Sequence, residues 1–253
     1  TLQNLARHHR KQLSIPFIGI TGTNGKTTTK ELIKDVLSKK YKTYATQGNL
    51  NNHIGVPLSI LSITKDIEIA IIEMGANHIG EISALCKIAQ PSHGLITNIG
   101  KAHLEGFGSL EGVITAKKEL YGYLKQNKGI VFVNPDNPLL MELSNTQNRV
   151  TYEASRKAIN TRLIGKHNLE NILAAMCIGH FFEVKESDIE QAIKNYQPAD
   201  NRSQIIKTSK NTVLLDAYNA NPTNMEAVIN HVSQMQVENK VVILGDMIEL
   251  GSH

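Results

Sequence analysis

Short, nearly continuous apolar runs along the chain are separated by longer stretches with helical spacing. Residues 15–20, 42–46, 67–73 (IEIAIIE), 94–98 (GLITN) and 129–134 (GIVFVN) read as strands. Unbroken apolarity is what a strand covered on both faces requires. Between them, 26–37, 79–89, 109–124 and the short 139–143 read as helices, with Ser109 placed as an N-cap. Asn134-Pro135-Asp136-Asn137-Pro138 marks a turn. This alternation predicts an α/β domain with a mostly parallel sheet flanked by helices. Ligands of such sheets bind beyond the carboxyl ends of the strands. The residues around the glycine loop after Ile20, at Glu73 and from Asn98 onward are therefore expected to converge on one cleft.

The ends of the chain read differently. Residues 2–13 form a polar, basic helical pattern whose apolar marks are Leu2, Leu5 and Leu13, too polar to make a core alone. We expect 1–14 to be a linker from a preceding unit and 15–200 to be the central domain. Helical patterns cover 167–182 and 187–196, and Pro198-Ala199-Asp200-Asn201 looks like a hinge. Beyond it, 204–207, 212–216 and 240–244 read as strands and 222–235 as a helix with Pro222 in its first turn. So few elements make a poor closed core. Residues 201–253 are accordingly expected to be the first part of a Rossmann-like C-terminal domain within a longer chain.

Composition changes this picture little. The chain has 253 residues, 41% of them hydrophobic and 20% charged, as in soluble globular proteins. A net charge of +4 suits polyphosphate substrates, but the cations are dispersed and Trp is absent, so a nucleic-acid partner is not expected. Cys86 and Cys177 form no CxxC and no disulfide framework, which fits a reducing, cytoplasmic setting. No apolar run is long enough to span a membrane, and we expect no membrane insertion. A monomer is the expected state.

The chemistry is concentrated in Gly19-Ile20-Thr21-Gly22-Thr23-Asn24-Gly25-Lys26-Thr27-Thr28. An apolar strand leads in and a helix leads out. That geometry rings a phosphate with backbone N–H groups at a helix N-terminus. Lys26 adds a cation for the outer phosphates, and Thr27 places a hydroxyl for Mg²⁺. The strict pattern G-x-x-x-x-G-K-[ST] would need Gly where Ile20 stands; G-x-x-G-x-x-G-K-T-T replaces it.

Further motifs run through the chain: QGNLNNHIGVP (47–57), IIEMGANHIGEI (71–82), NIGKAHLEGFGSLEGV (98–113), AKKEL (116–120), GKHNLENILAA (165–175), LLDAYNANPTNMEA (214–227) and ILGDMIELG (243–251). With the glycine loop, they resemble the Mur ligases, and among these the branch that adds D-alanyl-D-alanine to UDP-MurNAc-tripeptide. GxxGxxGKTT is shared with folylpolyglutamate synthetases, while GNLNNHIGVP, EMGANHIGEI and DxYNANP are more specific. The resemblance implies a further N-terminal domain, a fuller C-terminal domain, and a longer β segment between Tyr152 and Gly165 than this chain has.

It also implies a reaction and its residues. ATP would phosphorylate the tripeptide carboxylate, and the dipeptide amine would attack the acyl phosphate. Gly22, Thr23, Asn24, Gly25, Lys26, Thr27 and Thr28 would hold the phosphates. Thr27 and Glu73 would ligate one Mg²⁺, and His103 a second. Lys117 matches a lysine that the family carbamylates. Only a neutral amine reacts with CO₂, so Lys117 must be buried, whereas Lys118, turned about 100° around the helix, should face solvent. Asn168 and Asn171 would meet the adenine, Arg202 the γ-phosphate and Asp216 the ribose, with Tyr218, Asn219 and Asn221 along the nucleotide edge. Asn49, Asn51, Asn52 and His53 would face the muramyl peptide, and Asp246 the amine substrate. The residues leave other readings open: another Mur ligase or a folylpolyglutamate synthetase, a P-loop NTPase switch, or a nucleotide-binding fragment without turnover.

Overall fold

The computed structural model describes residues 1–152, 160, 161, 163, 166–198 and 201–247, without the side chains of Lys166 and His167. Six strands form one wholly parallel sheet in the order β2-β3-β1-β4-β5-β6. They are β1 (Phe17–Thr21), β2 (Thr43–Ala45), β3 (Ile69–Glu73), β4 (His93–Ile96), β5 (Ile130–Val133) and β6 (Asn148–Thr151). Every residue of β1 and β3 is buried. Successive side chains alternate between two cores: Phe17 to one and Ile18 to the other, then Ala70 and Ile71, Val131 and Phe132.

Helices cover both faces. On one lie α1 (Leu2–Arg10), α3 (Gly55–Leu61), α4 (Glu81–Ala89), α5 (Leu104–Phe107), α6 (Leu110–Gln126) and α7 (Pro138–Leu143). On the other lie α2 (Lys26–Leu37), α8 (Lys166–Phe181) and α9 (Glu186–Asn195). Ser109 caps α6 by accepting from the Gly112 amide, as its position in the sequence implies. Polar α1 docks on α3 and α4. Its Arg10 is only 8% exposed. That guanidinium donates to the carbonyls of Ala89, Leu13 and Gln90 and lies over the Phe17 ring.

The chain leaves β1 toward β2 and returns through β3, then crosses to β4 on the other side. The crevice of the sheet therefore opens where the connections diverge, beside the carboxyl end of β1. Register brings Glu73 opposite Ile20 and Ile96 opposite Thr21, so three strand ends meet there.

The last part is smaller than its hydrophobic pattern predicts. β7 (Gln204–Lys207) and β8 (Thr212–Leu215) pair antiparallel, and α10 (Pro222–Gln234) follows. Residues 240–244 are not a strand. Val241 is 84% and Ile243 93% exposed. The β propensity is present, but among the described residues no neighbouring strand supplies a ladder. No described helix is long and apolar enough to cross a membrane.

Candidate active site

The glycine loop between β1 and α2 takes its shape from two glycines. Gly22 has φ 146°, and a Cβ there would lie 2.0 Å from Thr97 Oγ1. Gly25, the N-cap of α2, has φ 79°, and a Cβ would meet the Asn171 amide at 2.6 Å. Side chains with a Cβ are excluded at both. The loop is fastened to the segment after β4. The Asn24 amide donates to Asn98 Oδ1 at 3.0 Å, Asn98 Nδ2 returns a bond to the Asn24 carbonyl at 3.0 Å, and Thr97 Oγ1 donates to that carbonyl at 2.6 Å. Thr23 Oγ1 accepts from the Gly100 amide and donates to its carbonyl.

Lys26 folds its ammonium back onto the carbonyls of Gly22 and Thr23, each at 2.9 Å. Burial lowers its pKa; the Glu73 carboxylate opposes that, and the Arg202 charge adds to it. Glu73 is 1% exposed at the end of β3. Its Oε1 accepts from Asn51 Nδ2 at 2.8 Å and Thr27 Oγ1 at 3.3 Å. Its Oε2 is buried and has no hydrogen-bond partner among the described residues. Unpartnered buried oxygens are rare. A buried carboxylate oxygen without a hydrogen bond, 3.8 Å from the Lys30 ammonium and beside a threonine hydroxyl, belongs to the hard, oxygen-rich donor set that Mg²⁺ takes, so the residues fit that ion. The described residues contain no cluster of three His, Cys, Asp or Glu side chains able to hold a metal. His103 stands in the left-handed region at φ 52°, as the N-cap of α5, with its ring edge-on to Phe107.

One cleft of about 860 Å³ gathers most of the predicted residues. Thr23, Asn24, Gly25, Lys26, Thr27, Glu73 and His103 line it from the sheet. Asn49, Asn51, Asn52 and His53 line it from the segment after β2; Arg202, Asp216, Tyr218, Asn219 and Asn221 line it from the segments around β7, β8 and α10. Arg202 stacks on Tyr218 at 3.6 Å from the ring centre, and its buried Nε has no hydrogen-bond partner among the described residues. An open guanidinium N–H next to a phosphate loop suits an anion. Asp216 accepts from the Ser203 amide and hydroxyl.

Lys117 is 2% exposed and its Nζ sits 5.3 Å from the centre of the Phe107 ring. Burial first, and then the Lys26 charge, push its pKa down to about 7. The neighbouring Lys118 is exposed, as helix geometry requires.

Lys117 is not among the residues lining the cleft, and other predicted residues also lie elsewhere. Asn168 and Asn171 are 3% and 4% exposed, behind the loop rather than among the residues lining the cleft. Asn171 Oδ1 accepts from Thr29 Oγ1 at 3.0 Å, and Asn171 Nδ2 donates to Asn168 Oδ1 at 3.2 Å. They are placed to brace the loop. Thr28 is buried at the start of α2. Asp246 is exposed and away from the cleft. Sequence reasoning missed Gln3, Asn77, Glu81 and Asn224, which also line the cleft. Of these, Asn224 carried a signal: it stands three residues after Asn221, and the two close a capping box at the start of α10.

Comparison with known proteins agrees with this geometry. The family model of the Mur ligase middle domain matches residues 20–159, and that of the Mur ligase glutamate ligase domain matches 201–253. The chain is 35% identical to UDP-N-acetylmuramoyl-tripeptide–D-alanyl-D-alanine ligase of Bacillus subtilis, over 99% of this chain and 60% of that protein. It superposes on MurF from Acinetobacter baumannii with a TM-score of 0.91 at 32% identity, covering 99% of this chain and 61% of that one. MurF ligase from Thermotoga maritima, solved in complex with ADP, gives a TM-score of 0.87 at 28% identity, covering 99% of this chain and 64% of that one. The chain thus spans about 60% of the length of the curated relatives it matches. With more than half of its residues matched by the middle-domain model, and a phosphate loop built at the crevice of a parallel sheet, the chain belongs to the Mur ligase family.

Proposed function

We propose that this chain is the catalytic part of an ATP-dependent ligase that adds D-alanyl-D-alanine to UDP-MurNAc-tripeptide in the synthesis of peptidoglycan precursors. The observation that carries the reading is one cleft whose lining joins a phosphate loop and a buried carboxylate to a row of amide side chains. The phosphate loop, Glu73 and Arg202 line it together with the amides of Asn49, Asn51 and Asn52 and with His53, and Asn51 bonds Glu73 directly. A nucleotide and a polar carboxylate substrate fit side by side in such a space.

In this reading Lys26 leaves the Gly22 and Thr23 carbonyls for the outer phosphates of ATP, joined by the loop amides and by Arg202. The tripeptide carboxylate attacks the γ-phosphorus and ADP leaves. The dipeptide amine then attacks the acyl carbon, and phosphate leaves as the amide forms. Both steps gather negative charge that Lys26 and Arg202 balance by position rather than by proton transfer. Thr27 and Glu73 would hold one Mg²⁺, with His103 toward a second; the ions supply charge neutralisation at the transferring phosphoryl oxygens. The Lys117 amine, with its pKa near 7, is neutral in a large fraction of molecules at physiological pH. Its nitrogen can therefore bond to CO₂ and lose a proton, giving a carbamate. Asp216 faces the ribose, with Tyr218, Asn219 and Asn221 along the nucleotide edge.

The proposed domain division is a lead-in at 1–14, an ATP-binding domain at 15–200 and part of a C-terminal domain at 201–253, in a protein that works as a cytoplasmic monomer. The test is phosphate release by the full-length protein. Release that requires both UDP-MurNAc-tripeptide and D-alanyl-D-alanine supports the proposal; release without the dipeptide, or with a folate acceptor instead, overturns it.

A further inference from the structure

Lys30 is a charged group that the proposed reaction leaves unused. It lies one turn beyond Lys26 on α2, and its side chain is 0% exposed. Its ammonium donates to the carbonyls of Thr46 at 2.6 Å and Gly48 at 3.3 Å. It pairs with Glu31 Oε1 at 3.0 Å, and Glu73 Oε2 lies 3.8 Å away. A buried ammonium is tolerated only when paired and hydrogen-bonded, and for stability alone an apolar side chain of similar volume serves as well. The partners of Lys30 explain its presence better than stability does.

They come from separate segments: α2 itself, the end of β3, and the turn after β2. That turn runs directly into Asn49, Asn51, Asn52 and His53, which line the cleft. Asn51 closes the ring from the other side. Its Nδ2 donates to Glu73 Oε1 at 2.8 Å, and its carbonyl accepts from the Gly75 amide at 2.8 Å. Thr46 Oγ1 accepts from the Glu73 amide at 3.0 Å. Phosphate helix, carboxylate and amide-rich turn thus share one cation as their common anchor.

We propose that Lys30 is a positioning residue: it holds the 46–53 turn and the Glu73 carboxylate against the phosphate helix, so that the amide-rich turn keeps a fixed register on the phosphate loop. The kinetic part of this inference rests on the ligase reading; the structural part does not. A methionine at position 30 fills the same volume but leaves the Thr46 and Gly48 carbonyls without their donor and Glu73 Oε2 without its cation.

The experiment compares Lys30→Met and Lys30→Arg with the parent protein, and uses Lys39→Met, at an exposed position just beyond the same helix, as control. Amide exchange is read with and without ATP and Mg²⁺. Lys30→Met should exchange about tenfold faster in peptides covering 46–53 while β1 and β4 keep their protection, and Lys30→Arg should restore most of it. In the full-length enzyme, the KM for the tripeptide substrate should rise about tenfold, and more than the KM for ATP. Exchange that quickens evenly over the sheet, or stays unchanged at 46–53, overturns the proposal. A rise confined to the KM for ATP does so as well. If Lys30→Met does not accumulate, Lys30→Gln, which keeps a donor without the charge, is read in the same way. Absence of ligase turnover in the parent protein overturns the functional reading alone, because the exchange result stands without it.

Discussion

Asn24 of the phosphate loop and Asn221 at the start of α10 exchange side-chain amide bonds, at 2.8 and 3.4 Å, across 197 positions of sequence. Asn221 also caps α10 and closes a box with Asn224, so one residue ends a helix and grips the loop. Breaking the grip alone, by Asn24→Ala, should speed amide exchange at the start of α10. Asn221→Ala should do more, because losing the cap costs about a further 1 kcal/mol. A double-mutant cycle on exchange free energies should give a coupling of about 0.5–2 kcal/mol. Strict additivity would show that the pair is not formed in solution.

Lys26 bonds back to its own loop, at the carbonyls of Gly22 and Thr23. Lys26→Met should therefore leave thermal stability within about 1 kcal/mol of the parent, since the lost hydrogen bonds are offset by removing a buried charge. ATP affinity should fall on the order of 100-fold, the scale of losing a charged contact to phosphate. Calorimetric titration with ATP, beside a melting curve, reads both. Lys26→Arg should not rescue, because a planar fork does not fit where a point charge turns between loop carbonyls and ligand.

Glu73→Gln keeps an acceptor for Asn51 and Thr27 but removes the negative charge and the carboxylate Oε2, which has no hydrogen bond among the described residues. Binding of Mn²⁺, followed by its paramagnetic signal in the presence of ATP, should weaken about tenfold or more. Chelation of divalent ions should abolish phosphate release in the parent protein. Unchanged Mn²⁺ affinity in the variant would remove Glu73 from the metal site.

For Lys117 the sign of the pH effect can be worked out. Its pKa falls from 10.5 in the unfolded chain to about 7 in the folded protein. Between those values the unfolded chain binds the extra proton, so stability rises with pH through that window. Below pH 7 both states are protonated, and the burial penalty is present in full. Lys117→Met should therefore stabilise the protein by a few kcal/mol at pH 6, with the gain shrinking toward pH 10. Melting curves across pH check this. Labelled bicarbonate should give a carbamate resonance in the parent and in Lys118→Met, and none in Lys117→Met.

Much of this architecture is legible in the sequence because the forces that write it are local. The glycine run ends at Gly25, and α2 spans Lys26–Leu37 as the helical spacing predicts. Ser109 caps its helix for the same reason. Helix α3 is hidden because Gly55 and Pro57 read as loop residues, yet its first turn is held by the Asn52 side chain, which accepts from the Ile54 and Gly55 amides. Helix α5 has only the four residues Leu104–Phe107, too few for a periodic signal. Residues 240–244 have the pattern of a strand but no partner among the described residues, and pairing is not written in a strand's own sequence. The convergence of the glycine loop, Glu73 and the segment from Asn98 to His103 follows from the parallel order and from strand ends, whereas Arg202 precedes the antiparallel pair and only the family resemblance pointed to it. The bracing role of Asn171 and the burial of Lys30 follow from neither: both depend on contacts made across the fold, and a lysine on a helix ordinarily reads as part of its solvated face.

The Asn171 amide behind Gly25 has a consequence for the order in which the protein is made. The phosphate loop is translated early, but the groups that hold it come later: Thr97 and Asn98, then Asn171, then Asn221. A nascent chain that has released only β1 and α2 carries the loop sequence without the loop shape. Nucleotide binding should therefore first arise on the ribosome when α8 has emerged and packed on α2, and should strengthen again when α10 follows. Chains stalled before Asn171 should bind no ATP.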